Sequence, residues 1–230
     1  MSRIKNIILV HGFWVNGSCY SKITPPLLAE GYEVIAVQNP LTSLADDVAA
    51  TKRALARVEG NCLLVGHSWG GFVITEAGND EKVAGLVYIA AVAPDRDESM
   101  IDLLTQYTAP PVLQYVEEQD GFLWLSKEGM QKSFAGDLPA EEAALLYATQ
   151  TAAPASLSQT KATSQPAWKN KPSWYIVANS DQSVSPHYQH DAAKRIGATT
   201  TVLESSHVPM LSQPGEVLAV IKDATAMSHL

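Results

Sequence analysis

The sequence is poor in cysteine, in positive charge and in long apolar runs. Two cysteines in 230 residues, Cys19 and Cys62, are too few for a disulfide framework or a cysteine-rich metal site. Sixteen Lys and Arg against 24 Asp and Glu give a formal net charge of −8, which argues against a nucleic-acid partner. Because no run of about 18 uncharged apolar residues occurs, we expect no membrane span. A soluble cytoplasmic protein is the resulting expectation.

Short apolar stretches alternate with amphipathic stretches along most of the chain. With 46% hydrophobic residues, 230 residues suffice for one well-packed domain. Short buried strands alternating with helices predict an α/β fold, with a parallel sheet covered by helices on both faces. The predicted strands are 7–10, 33–37, 62–65, 83–90, 174–178 and 200–203, and the predicted helices include 21–30, 44–59, 186–196 and 216–226.

This alternation stops between residues 95 and 171. The segment has helical pieces at 100–104 and 140–149, several prolines, and aromatic residues that the pattern leaves exposed. We interpret it as a small helical cap inserted into the sheet domain, and the alternative is a helical excursion that only extends the core. The predicted division is a core of residues 1–94 and 172–230 and a cap of residues 95–171.

The motif G-x-S-x-G occurs within residues 66–71, GHSWGG, between the predicted strand 62–65 and residues 72–77, which can form a helix. In this context the motif predicts a nucleophile elbow, a strained turn that exposes the serine Oγ. Its glycines allow the strand and the helix to pack closely around the turn. The alternative is a glycine-rich loop in which Ser68 only caps a helix.

Three landmarks together resemble the α/β-hydrolase superfamily: residues 11–14 (HGFW), 66–71 and 206–209 (SHVP). More narrowly, the short chain and compact cap resemble plant-type methyl esterases, hydroxynitrile lyases and their bacterial esterase relatives. The resemblance spans essentially the whole chain. It implies an α/β-hydrolase fold of about six parallel strands, with the active-site loops at the carboxyl ends of the strands.

A serine hydroxyl needs a base to remove its proton, and the sequence offers six histidines. The resemblance implies that the base is His207, in the loop after the last strand, although a surface histidine is the simpler alternative. The resemblance also implies a structural role for His11. His67 is expected to pack beside the site. The others are His187 and His190 on a predicted surface helix and His229 in the C-terminal tail.

The histidine needs a carboxylate that orients it. Asp181 lies between a predicted strand and a predicted helix, at the family's acid position, which gives the chain order Ser, Asp, His. A turn-forming or helix-capping role is the alternative for this residue. Asp95 is the rival acid, because some relatives place theirs after the preceding strand.

Acyl transfer also requires two N–H groups that stabilise the oxyanion, each worth about 3 kcal/mol of barrier. The Trp69 amide, at a helix N-terminus, is one candidate, and the resemblance supplies the Phe13 amide as the other. We expect the side chains of Phe13, Trp14 and Trp69 to line the substrate pocket together with Trp124, although ordinary aromatic packing explains Trp14 equally well.

Two positions distinguish among the family's reactions. The lyase branch has a threonine where this chain has Gly12 and a lysine where it has Val208, so we do not expect cyanohydrin cleavage. Ser68 excludes an aspartate nucleophile of the dehalogenase type. The loop also lacks the three-glycine motif of many lipases.

The sequence therefore predicts a serine esterase for small hydrophobic or aryl esters, with the triad Ser68, His207 and Asp181. Alternatives are amide or lactone hydrolysis, cofactor-free perhydrolysis, or a hydrolase-fold receptor for a small molecule. We expect no metal and no cofactor, and the oligomeric state is left open.

Overall fold

A computed structural model of the protein describes residues 4–226. Strands and helices alternate through the first part of the chain and again near its end. The strands are β1 (Asn6–Val10), β2 (Glu33–Val37), β3 (Cys62–His67), β4 (Val83–Ile89), β5 (Val116–Gln119), β6 (Phe122–Leu125), β7 (Ala153–Pro154), β8 (Ser173–Ala178) and β9 (Thr199–Leu203). The helices are α1 (Thr24–Ala29), α2 (Leu44–Arg57), α3 (Trp69–Ala77), α4 (Met100–Leu104), α5 (Lys127–Gly129), α6 (Ala140–Ala148), α7 (Pro186–Arg195), α8 (Pro209–Ser212) and α9 (Pro214–Ala226).

The main sheet has the strand order β2-β1-β3-β4-β8-β9, and all its neighbouring pairs are parallel. Every residue of β1, β3, β4 and β8 is buried, whereas the edge strands β2 and β9 are partly exposed. Strands covered on both faces are mostly apolar, which is why the sequence revealed them. The six-stranded prediction is confirmed, and β3 lies inside the sheet.

The helices follow local signals in the sequence. Helix α2 begins after Ser43, whose hydroxyl accepts a hydrogen bond from the Asp46 N–H. Helix α1 is shorter than the predicted helix 21–30, because a 3₁₀ turn at Gly17–Tyr20 precedes it and proline occupies its first turn. Proline suits that position, since the N–H that it lacks has no partner within a helix.

The segment between β4 and β8 differs in one respect from the predicted helical cap. It contains a small antiparallel sheet of β5, β6 and β7 besides its helices. Asp120 and Gly121 connect β5 to β6 with positive φ angles of 53° and 80°. An Asp-Gly pair is the preferred two-residue connection of a β-hairpin, because both positions require positive φ. We propose that residues 95–171 form the cap, and use that name for them below.

The structure also describes the cysteines, the length of the apolar helices and the groups of potential metal ligands. Both cysteines are free and buried. Within residues 4–226, no helix is long and apolar enough to cross a membrane. In the same range, no three His, Cys, Asp or Glu side chains form a group suited to a metal ion.

Candidate active site

Ser68 lies in a strained turn between β3 and α3. Its φ and ψ are 54° and −121°, a conformation that costs a non-glycine residue about 1–3 kcal/mol. A Cβ on Gly66 would lie 2.5 Å from the Gly70 carbonyl oxygen, and one on Gly70 would lie 2.1 Å from the Val10 carbonyl oxygen. Only glycine therefore permits this approach. The turn leaves Ser68 partly exposed while its two neighbours in the chain are buried.

His207 and Asp181 come from the loops that follow β9 and β8, two neighbouring strands. His207 Nδ1 is 2.6 Å from Asp181 Oδ2, and both side chains are buried. The other carboxylate oxygen, Oδ1, accepts hydrogen bonds from the N–H groups of Ser183 (2.7 Å) and Val184 (3.1 Å). Gln189 Nε2 donates to Oδ2 at 2.7 Å. Because a carboxylate only accepts hydrogen bonds, Nδ1 of His207 donates its proton, and in the neutral ring this tautomer has its lone pair on Nε2.

Ser68 and His207 line the same cavity, which has a volume of about 460 Å³. Its other walls come mainly from apolar residues of the cap. Among the described residues that line it, none is Asp, Glu, Lys or Arg. The apolar side chains from the cap include Met100, Leu104, Val112, Leu113, Val116 and Leu123.

The structure places only some of the predicted pocket residues at the cavity. Phe13 and Trp14 line the cavity, and Trp14 Nε1 donates to the Leu123 carbonyl oxygen at 3.0 Å. Trp124 does not line it and is 40% exposed. Successive side chains of a strand point to opposite faces, so Leu123 on β6 occupies the position expected for Trp124.

The two predicted oxyanion donors lie on segments that meet at Ser68. The Trp69 N–H belongs to the first residue of α3 and has no acceptor within that helix. Phe13 follows Gly12, where a Cβ would lie 2.6 Å from Ser68 Cβ and 3.0 Å from the Trp69 nitrogen. The loop after β1 therefore passes directly beside the turn. The two N–H groups remain predicted donors.

The indole ring of Trp69 lies in the core and not in the cavity, contrary to expectation. It is fully buried, and its Nε1 donates to Asp47 Oδ2 at 2.8 Å. Asp47 Oδ1 also accepts from the Leu41 N–H at 2.8 Å. Burial raises the pKa of Asp47 to about 6. The sequence analysis missed this carboxylate, although its position on the apolar face of α2, three residues from Leu44 and Ala50, was a usable signal.

Two further histidines support the loops of the site. His67 is buried and its Nε2 donates to the His207 carbonyl oxygen at 2.8 Å. His11 accepts from the Asn39 N–H through Nε2 (2.9 Å), and its Nδ1 donates to the Gly12 carbonyl oxygen (2.9 Å). Burial lowers the pKa of His11 to about 4 and that of His67 well below its usual value. Both rings are therefore neutral at pH 7.

The remaining candidates are placed away from the site. Asp95, the rival acid, forms an ion pair with Lys169 at 2.7 Å. His187 and His190 are exposed on α7. His229 lies outside the described residues. The structure thus brings Asp181, and not Asp95, to His207.

Comparison with known proteins decides the family. The alpha/beta hydrolase family model matches residues 7–220. The protein belongs to this family. The resemblance and the fold that the sequence predicted are both confirmed.

The relatives of this α/β hydrolase include named hydrolases and esterases. A pyrethroid hydrolase of Sphingobium wenxiniae is 30% identical over 96% of this chain and 87% of its own length. Methylesterase 7 of Arabidopsis thaliana is 24% identical over 94% of this chain and 95% of its own. These relatives identify the chain as a carboxylesterase-like hydrolase of the methylesterase-like group.

Solved structures show the same fold. A crystal structure of a pyrethroid hydrolase superimposes on this α/β hydrolase with a TM-score of 0.80 and 25% identity, covering 96% of both chains. Polyneuridine aldehyde esterase, at 21% identity, gives a TM-score of 0.81 over 96% of this chain and 99% of that one.

Proposed function

We propose that this protein hydrolyses carboxylic esters through an acyl-serine intermediate. The observation that carries the proposal is the arrangement around one cavity of Ser68 in a strained turn and His207 bonded through Nδ1 to Asp181. A histidine that is oriented by a carboxylate and lines the same cavity as a partly exposed serine is the arrangement that activates a hydroxyl nucleophile. Relatives named for the hydrolysis of a pyrethroid and as a methylesterase support the same reaction class.

The reaction proceeds in two halves. Nε2 of His207 takes the proton of Ser68 Oγ as this oxygen attacks the ester carbonyl carbon, and the N–H groups of Phe13 and Trp69 stabilise the resulting oxyanion. His207 then gives the proton to the departing alcohol oxygen, which leaves an acyl-serine. In the second half, His207 activates a water molecule that attacks the acyl carbon. The acid leaves and Ser68 recovers its proton.

The substrate class follows from the cavity. A volume of about 460 Å³ is that of a site for a small molecule. Its lining offers apolar contacts from the cap and no Asp, Glu, Lys or Arg among the described residues. A charged group buried there would lose its hydration without gaining a partner. We therefore propose uncharged hydrophobic or aryl esters of small size.

The test is a panel of p-nitrophenyl and aryl esters of increasing acyl length, assayed with the wild-type protein and with Ser68→Ala. The expected loss of kcat in the variant is about a thousandfold or more. Ser156→Ala, at an exposed serine of the cap, is the matched control and should keep wild-type activity. Many turnovers per protein are expected, whereas a single slow turnover is expected of a small-molecule receptor. Activity retained in Ser68→Ala, or no hydrolysis by the wild type, contradicts the proposal.

A further inference from the structure

Contacts from two different parts of the fold hold His207 and the residue that precedes it. Asp181 binds the imidazole Nδ1, and His67 binds the backbone carbonyl oxygen. Both of these residues lie on the core. The other two contacts come from one short segment of the cap, which contains Phe134 and Asp137.

Asp137 binds the residue that immediately precedes His207. Its Oδ2 accepts a hydrogen bond from the Ser206 N–H at 2.9 Å, and its Oδ1 accepts one from Ser206 Oγ. Ser206 is buried, whereas Asp137 is exposed at the surface. Hydrogen bonds to an ionised acceptor are about twice as strong as neutral ones, and two of them fix both position and orientation. The cap thus fixes the backbone where the chain enters His207.

Phe134 contacts the imidazole itself. It ends a π-helical turn, Met130–Phe134, and is fully buried. Its ring centroid is 4.9 Å from that of His207, with an angle of 70° between the ring planes. This edge-to-face contact is a favourable one for two aromatic rings and restricts the side-chain rotation of His207. Phe134 and Asp137 are three residues apart, so one short segment supplies both contacts.

We propose that Asp137 is a positioning residue for His207: through Ser206 it holds the imidazole where Nε2 faces Ser68 and Nδ1 faces Asp181. The inference rests on the proposed esterase function for its kinetic consequence, but its structural consequence can be measured without a substrate.

The test compares Asp137→Ala and Asp137→Asn with the wild type. Because small misplacements of reacting groups are costly, we expect Asp137→Ala to lower kcat by about tenfold to a hundredfold with little change in KM. Asp137→Asn should lose less, since its carbonyl oxygen still accepts one of the two hydrogen bonds. Glu128→Gln is the matched control, because Glu128 is an exposed carboxylate of the same part of the cap whose ion pair is with Lys132. This variant should leave kcat unchanged.

A spectroscopic measurement separates this inference from the proposed function. The His207 Nδ1 proton, in a 2.6 Å hydrogen bond, should give a low-field ¹H resonance that disappears in His207→Ala. We expect it to broaden or shift in Asp137→Ala and to stay unchanged in Glu128→Gln. In addition, the double variant Asp137→Ala/Ser206→Ala should lose no more kcat than Asp137→Ala alone.

Wild-type kcat together with an unchanged resonance in Asp137→Ala would overturn the inference. A double variant that loses more kcat than Asp137→Ala alone would also overturn it, because the Ser206 hydroxyl would then act independently of Asp137. If the wild type hydrolyses no ester, the proposed function fails, whereas the resonance still shows whether Asp137 positions His207.

Discussion

Asp181→Asn replaces one oxygen by an NH₂ group in a site where every neighbour donates. Oδ1 faces two backbone N–H groups, which cannot become acceptors, so the amide nitrogen must take the position of Oδ2. There it meets Gln189 and His207. Gln189 cannot turn its amide, because its Oε1 accepts from the Ala178 N–H at 2.9 Å and its Nε2 donates to the Val184 carbonyl oxygen at 2.8 Å. Only His207 can adjust.

The adjustment moves the imidazole proton from Nδ1 to Nε2. His207 then has no lone pair on the side of Ser68 and cannot act as its base. In a serine protease triad the same substitution lowers kcat by about 10⁴-fold through the wrong tautomer. We expect a loss of that size here, which corresponds to about 5 kcal/mol of activation free energy.

The assay is the initial rate of p-nitrophenyl ester hydrolysis at saturating substrate, with thermal melting curves to confirm that the variants fold. Asp95→Asn is the control, and because Asp95 pairs with Lys169 away from His207, its kcat should stay within about twofold of the wild type. Retention of more than a tenth of wild-type kcat in Asp181→Asn would refute the tautomer argument. A larger loss in Asp95→Asn would show that the acid has been misassigned.

Two further predictions concern the buried carboxylate and the cavity. Burial raises the pKa of Asp47 from 3.8 to about 6, so the folded state binds this proton more tightly than the unfolded state. Denaturant titrations of the wild type and of Asp47→Asn give the difference between their unfolding free energies, the value for the wild type minus that for the variant. This difference should fall by about 3 kcal/mol as the pH rises from about 4 to above 6. A difference that does not vary with pH contradicts the raised pKa of Asp47. Leu104→Trp should reduce the cavity volume and raise KM for long-chain or aryl esters about tenfold more than it raises KM for the acetate ester. An equal change in KM for all chain lengths would show that Leu104 does not face the acyl group.

The sheet was predictable because the apolar pattern of each strand lies within a few consecutive residues. A parallel strand covered on both faces is mostly apolar, so β3 and β4 are visible as the apolar stretches 62–65 and 83–89. The elbow was predictable because its close contacts require glycine at positions 66 and 70 around the serine. The Asp120-Gly121 pair carried an equally local signal for the hairpin, which the sequence analysis overlooked.

The contacts of the site that depend on tertiary packing could not be predicted from the sequence. Whether Leu123 or Trp124 faces the cavity depends on the face that β6 turns toward the core, and a shift of one residue exchanges the two. Asp137 and Ser206 are 69 residues apart. No local pattern indicates that they meet, because their contact depends on how the cap packs on the core.

Covalent trapping of the nucleophile shows whether Ser68 is the residue that attacks the substrate. The protein is treated with diethyl p-nitrophenyl phosphate, the released p-nitrophenolate is counted, and the modified peptide is located by tandem mass spectrometry. We predict one p-nitrophenolate per chain, a diethylphosphoryl group on Ser68, and loss of esterase activity in proportion to labelling. A label on another residue, or full activity in protein labelled at Ser68, would contradict the account.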